Sequence, residues 1–266
     1  MRSYRHHGKT NLTLFSGFTL LELSIVLLVL SLVAGGALAI MTQEIRRNKQ
    51  NELQTKMDAI QEAMIKFRRQ NNRLPCPADA TIALSEEKFG MEASNAGTCD
   101  GDPAANFNDT ENTVGGVVPV KSLGLPDDYM FDPWGGRFSY VVDMRMTAPL
   151  AFTTYPVTST TIGSITVLDV ASNNRTTNAI AVLISHGNNG HGAYQLSGLR
   201  KSARSSNTDE QMNCYCDENA TATTFDNIFI MRPHTGSTSS STGSFDDVVR
   251  YWVRSQMFSP ADIGMR

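Results

Sequence analysis

Four groups of residues in this 266-residue chain carry side chains able to do chemistry. Glu22 is the single charged residue between Phe18 and Gln43, in a run dominated by Leu, Val, Ala and Ile. A carboxylate there needs a counter-charge or a route to water, because an unpaired charge deep in an apolar span costs on the order of 2.5–3.5 kcal/mol. Cys76, Cys99, Cys214 and Cys216 are an even set, open to disulfide, zinc or redox use until the compartment is known. His186 and His191 flank a Gly-rich string, and Asp246-Asp247 open the C-terminal segment with oxygens suited to a hard cation. Two histidines alone fall short of the three or four ligands of a zinc site.

The elements that position Glu22 are the most legible. Residues 1–17 hold Arg2, Arg5, Lys9, two histidines and no acid. The apolar run from Phe18 to Gln43 would span about 39 Å as a helix, against a hydrocarbon core of about 30 Å. Basic residues ahead of such a run predict a cytoplasmic N-terminus. A secretory signal peptide would have a shorter apolar core and a small-residue cleavage site after it. A plain signal anchor fits the length but leaves Glu22 without a purpose, other than snorkelling to the headgroups.

The string Gly17-Phe18-Thr19-Leu20-Leu21-Glu22-Leu23, behind its basic leader, resembles the class III signal of type IV prepilins and type II secretion pseudopilins. The resemblance implies that a prepilin peptidase cuts between Gly17 and Phe18, that Phe18 is then N-methylated, and that the helix is retained for filament assembly. Glu22 of one subunit would then neutralise the new Phe18 amine of its neighbour, a pairing whose best-attested use is fixing register. The implied placement is single-pass in the bacterial inner membrane, N-terminus cytoplasmic and head periplasmic, before entry into a pilus or pseudopilus.

Beyond the span, Glu44–Asn71 contains no Pro or Gly, and Leu53, Met57, Ile60, Met64 and Phe67 form one stripe at helical spacing. One helix is expected from Phe18 to about Gln70, roughly 80 Å long, stopped by Asn71-Asn72 and Leu74-Pro75. The expected organisation is a leader over 1–17, a helix over 18–71 whose part 18–43 is the transmembrane or filament-core segment, and a head over 72–266. Residues 72–136 read as a long connection with little regular structure. Strands are expected at Arg137–Asp143, Ile162–Val170, Ala179–Ser185 and Asn227–Met231. Thr235–Ser244, nearly all Ser, Thr and Gly, reads as an exposed loop. Phe245, Val248, Val249, Trp252 and Met257 fit a helical face, with a strand through Val248–Val253 as the alternative. The fold class is therefore α+β and pilin-like: a long transmembrane and assembly helix packed on an antiparallel sheet.

Three head strings extend the resemblance. Asp132-Pro133-Trp134-Gly135 and Ser185-His186-Gly187-Asn188-Asn189-Gly190-His191-Gly192 resemble a turn and a Gly-rich loop of the major type II pseudopilin. Leu74-Pro75-Cys76-Pro77 with Phe245-Asp246-Asp247-Val248-Val249-Arg250 resembles a group of larger pilin-like proteins. The pseudopilin binds calcium near its Gly-rich loop, which makes Asp246 and Asp247 candidate ligands here. The loop departs from the family in carrying Asn or His where the family has Asp, and a Gly-rich turn beside helix-capping acids is the alternative. No other cofactor is expected.

The implied export route makes the cysteines two bridges rather than zinc ligands. Cys76–Cys99 is the favoured pair, closing a loop whose chain-entropy value is roughly 3–4 kcal/mol. Cys214-Tyr215-Cys216 is harder: in a strand, residues two apart lie close to 7 Å from Cα to Cα, a strained separation for a bridge. Crossed pairing of Cys76 or Cys99 with Cys214 stays open, and so does a redox-active Cys-X-Cys.

A net charge of −3 argues against a nucleic-acid partner. No nucleophile elbow, phosphate loop or HExxH string occurs, so no enzymatic activity is expected. The reading is a minor pilin or pseudopilin of a type IV pilus or type II secretion-like filament. Its implied partners are the prepilin peptidase, sibling subunits, the inner-membrane assembly platform and the membrane. The alternative is a filament-tip subunit whose enlarged head binds a surface or substrate.

Overall fold

A computed structural model describes residues 19–93, 99, 113–154, 162–201, 205–214, 227–234 and 243–258, with the side chains at 34 and 36–40 excluded. The expected loop Thr235–Ser244 lies mostly outside them. The chain divides into two units, residues 1–48 and 49–266. Helix α1, Leu20–Asn71, contributes to both.

In the first unit, α1 begins at a capped end. The Thr19 carbonyl accepts from the Leu23 N–H at 3.1 Å, and its Oγ1 accepts from the Glu22 N–H at 3.2 Å. Thr19 thus satisfies donors that a helix start leaves without partners. Every described side chain from Leu20 to Val33 is exposed. The Ser24 and Ser31 hydroxyls turn back to the Leu21 and Leu28 carbonyls, so Glu22 is the one charged group on this surface.

In the second unit, α1 is amphipathic. Leu53, Met57, Ile60, Met64 and Phe67 are all buried in one cluster with Leu74, Val114, Tyr140, Val142, Leu183 and Trp252. Burying side chains of this size is worth about 1.5–3 kcal/mol each. The polar flank is tied down too. Arg250 donates to Asp58 at 2.6 Å and to Gln54 at 2.9 Å, and the Lys56 ammonium donates to the carbonyls of Asp128 and Phe131. The helix ends at Asn72, which adopts φ +56° while its N–H donates to the Arg68 carbonyl.

Six strands form one curled sheet: β1 Thr113–Val117, β2 Ser139–Asp143, β3 Ile165–Leu168, β4 Asn174–Ser185, β5 Ile228–Ile230 and β6 Val248–Val253. Short helices α2 (Val120–Leu123), α3 (Ala151–Thr154) and α4 (Thr208–Cys214) decorate it. Strand β4 is the spine. Its C-terminal half pairs antiparallel with β2 (Val141 opposite Val182) and with β6 (Val182 opposite Tyr251). Its N-terminal half pairs with β3 through an irregular register, and β5 joins β3 in parallel. The curl creates a second core, in which Val141, Val182, Ile184 and Val249 meet Ile165, Val167 and Phe229.

The expected architecture needs correction at several points. The sheet is mixed, not antiparallel, because β5 enters parallel to β3. Strand β1 lies inside the supposed irregular region 72–136, where two glycines in Thr-Val-Gly-Gly-Val masked its β character. The segment after Phe245 is strand β6, since Val248–Val253 is β-branched and aromatic and fills a place beside β4. The transmembrane assignment also falls. Among the described residues no helix is long and apolar enough to cross a membrane. The expected single-pass placement in the inner membrane, with a periplasmic head, is overturned with it.

Cys76 and Cys99 form a disulfide with Cα atoms 5.5 Å apart across 23 positions. Both are buried in the main core, where Cys99 also contacts the Thr147 hydroxyl at 3.3 Å. Replacing both with Ser should lower the melting temperature by roughly 10 °C, from a loop-closure value of about 3–4 kcal/mol and a chain of this size. Thermal scans of the variant, with non-reducing peptide maps of the wild type, check this. An unchanged melting temperature, or Cys76 mapped to another cysteine, would contradict it.

Candidate functional site

The sheet curl brings the C-terminal end of β4 beside the start of β6, and most of the polar residues singled out in the head gather there. The turn Asp132–Gly135 supports this end. Buried Asp132 accepts through Oδ1 from the N–H groups of Trp134 and Gly136, both at 2.9 Å, and through Oδ2 from the Ser185 hydroxyl at 2.7 Å. Burial raises its pKa, against the pull of these bonds. The turn thus anchors the first residue of the Gly-rich loop. It leads into β2, not into the first strand of the sheet, since β1 precedes it.

The loop then closes on Asp246. Gly187 has φ +59°, and a Cβ there would strike the Asp246 carbonyl, so only glycine fits. The Asn189 N–H donates to Asp246 Oδ2 at 2.9 Å, while its side-chain amide donates to both Glu210 oxygens at 3.1 and 2.9 Å. Glu210, from α4, also accepts the Asp246 N–H at 2.8 Å. Asp247 Oδ2 accepts from Asn213 at 2.9 Å.

Glu210, Asp246 and Asp247 therefore form a buried cluster whose ligand oxygens all lie within 4.8 Å of one another. Asp246 Oδ1 and Asp247 Oδ1 are buried without a hydrogen-bond partner. Burial and the neighbouring Glu210 push the Asp246 carboxyl up to about 6, and burial above all raises Asp247 well beyond the carboxylate range. Orphaned oxygens on crowded acids can be satisfied by shared protons or by a cation. The all-carboxylate donor set suits a hard, oxygen-seeking cation such as calcium, with further oxygens from the loop backbone or water. Calcium, when bound, would supply charge neutralisation and cross-link the loop, α4 and β6. Asp246 and Asp247, the two candidate ligands read from the sequence, both lie in this cluster. Glu210 was missed, because it lies 36 positions before Asp246 with no short-range spacing to link them.

The histidines have other duties. His191 Nδ1 accepts the Ser205 N–H at 2.6 Å. His186 Nε2 lies 2.8 Å from the Ser139 hydroxyl, and its Nδ1 lies 3.8 Å from Asp247 Oδ1. The residue types are those of a Ser-His-Asp triad, but 3.8 Å exceeds hydrogen-bond reach. Burial, with the nearby His191 and Arg200, depresses the His186 pKa to about 3, so it is a weak base near neutrality.

At the N-terminus, Gly17 and Phe18 lie outside the described residues. Glu22 is exposed in the first turn of α1. Its spacing from Thr19 is that of a capping box, a signal visible in the sequence as Thr-x-x-Glu. Cys214 is disulfide-bonded as well, while Cys216 is outside the described residues.

Calcium at about a hundred times its dissociation constant would add about 2.7 kcal/mol. The expected effect is a melting temperature roughly 5–10 °C higher in calcium than in chelator, lost in Asp247→Asn. Equal melting temperatures for the wild type in both conditions would leave the cluster held by protons alone. No family model matches the chain, and neither does any curated protein or solved structure.

Proposed function

We propose that this chain is a structural subunit, a minor pilin or pseudopilin, of a type IV pilus or type II secretion-like filament, assembled through the first part of α1. One observation carries the reading: the helix surface from Leu20 to Val33 is apolar apart from Glu22, Ser24 and Ser31, and all of it is exposed. A helix of that kind is stable in water only when other apolar surface surrounds it. Copies of the same helix from sibling subunits are the natural surroundings in a filament core. The basic leader and the Gly17-Phe18 junction supply the means of release by a prepilin peptidase. The Cys76–Cys99 bridge fits a head that works in an oxidising environment.

In such a core Glu22 is the one charged group without an opposite charge on its own surface. Cleavage after Gly17 would free a cationic amine on Phe18, four positions away in sequence. Glu22 of one subunit paired with that amine on the next fixes their axial register. The Thr19 cap holds the backbone at Glu22 in helical form, so the carboxylate is presented at a defined height.

Breaking a buried pair by removing one partner costs about 3–5 kcal/mol, less where water reaches it. Glu22→Ala and Glu22→Gln should therefore be processed normally yet fall at least tenfold in sheared filaments, measured by blotting filament and cell fractions. Processed Glu22→Ala in filaments at the wild-type level would remove the register role. It would favour a tip subunit instead, whose outward end has no neighbour to pair with.

A further inference from the structure

Beside the acidic cluster lies a buried nitrogen that its hydrogen bonds leave unused. Ser139 opens β2, His186 follows β4 and Asp247 precedes β6. Antiparallel pairing sets these strand ends side by side, with Ser139 opposite Ile184 and Val248 opposite Ser185. His186 is 1% exposed and Asp247 3%. His186 Nδ1 and Asp247 Oδ1 are both buried without a hydrogen-bond partner, and they lie 3.8 Å apart.

The groups on either side of this gap are fixed. Asp247 Oδ2 accepts from Asn213 Nδ2 at 2.9 Å. The Asn213 amide is itself locked to the backbone of Ile230, donating at 3.0 Å and accepting at 2.7 Å. Oδ1 is therefore the free oxygen of that carboxyl. Across the gap, His186 Nε2 lies 2.8 Å from the Ser139 hydroxyl, and Asp132 holds the preceding Ser185. Burial keeps the imidazole neutral near neutrality, so it has one N–H and one lone pair. With the Ser139 O–H donated to Nε2, the single ring proton sits on Nδ1, a donor beside the orphaned oxygen. The gap exceeds a hydrogen bond by only about 1 Å, a shift within reach of two side chains.

We infer that His186 is a positioning residue of the cation site: held by Ser139, it donates from Nδ1 to Asp247 Oδ1 and orients that carboxylate toward a hard cation shared with Asp246 and Glu210. An ionised carboxylate has about four lone-pair sites, so Oδ1 serves the histidine and the cation together. Outer partners that orient a ligand in this way are worth roughly 10–100-fold in metal affinity. The inference rests on the cation reading of the cluster and gives the buried histidine a part in it.

Calcium titration of the purified full chain, followed by calorimetry, tests this. His186→Ala should weaken calcium binding roughly tenfold or more, and Ser139→Ala should act in the same direction. His186→Asn keeps an amide donor near the Nδ1 position and should retain most of the affinity. His186→Gln is closer to histidine in size but carries its amide nearer the Nε2 position, so it should fall with alanine. A space-filling role for the ring would reverse the order of Asn and Gln. Should the variants not fold, nitrogen resonances of the wild-type imidazole in calcium give the tautomer directly, with the proton expected on Nδ1. Wild-type calcium affinity in His186→Ala, or a calcium-bound ring protonated on Nε2 alone, would overturn the inference and leave the cation reading standing. No calcium binding by the wild type would overturn both.

Discussion

Leu53, Met57, Ile60, Met64 and Phe67 put an apolar stripe on α1 that water cannot be left to cover, and the order of the head follows from covering it. Tyr140 and Val142 of β2, Leu183 of β4 and Trp252 of β6 share one core with that stripe, and these three strands are neighbours in the sheet. Their other face would then be bare. The sheet answers by curling: β4 runs on past its pairing with β2 and β6, picks up β3, and through it β5, which close the second core. Curl and mixed pairing are thus consequences of a sheet that has to bury both faces with one helix available.

The same curl fixes where polar groups are stranded. Asp246 and Asp247 enter β6 and Arg254 leaves it, with the strand Val248–Val253 between them. An extended run of that length separates the two ends by about 23 Å, far beyond the roughly 4 Å of an ion pair. The buried acids and the buried guanidinium therefore cannot neutralise one another. The acidic end is settled locally, by protons or a hard cation. Gly187 shows how tightly the acidic end is built, since the Gly-rich loop reaches Asp246 only with no side chain at that position.

Much of this was legible in the sequence where a pattern was local. The stripe on α1 has a strict helical period, and the strands expected at Arg137–Asp143 and Ala179–Ser185 overlap β2 and the C-terminal half of the longer β4. Legibility failed where tertiary context decided. Val248–Val253 has an apolar set compatible with either period, and only a vacancy beside β4 makes it a strand. Strand β1 is hidden by Gly115 and Gly116, yet Gly116 is needed because a Cβ there would strike the Ala78 carbonyl. Glu210 reaches its partners through α4, from a segment whose sequence bears no sign of the site. The apolar N-terminal run suggested a membrane span, but among the described residues no helix is long and apolar enough to cross a membrane. What it does present is exposed apolar surface with one carboxylate.

That surface is the basis of the functional account, and its central claim is that the helix is released behind its leader for assembly. The most direct measurement is the intact mass and N-terminal sequence of the mature protein recovered from cells that carry its native machinery. The account predicts a chain that lacks residues 1–17 and begins at a methylated Phe18. A mature chain that begins at Met1, or one cut after Ala39, would contradict it.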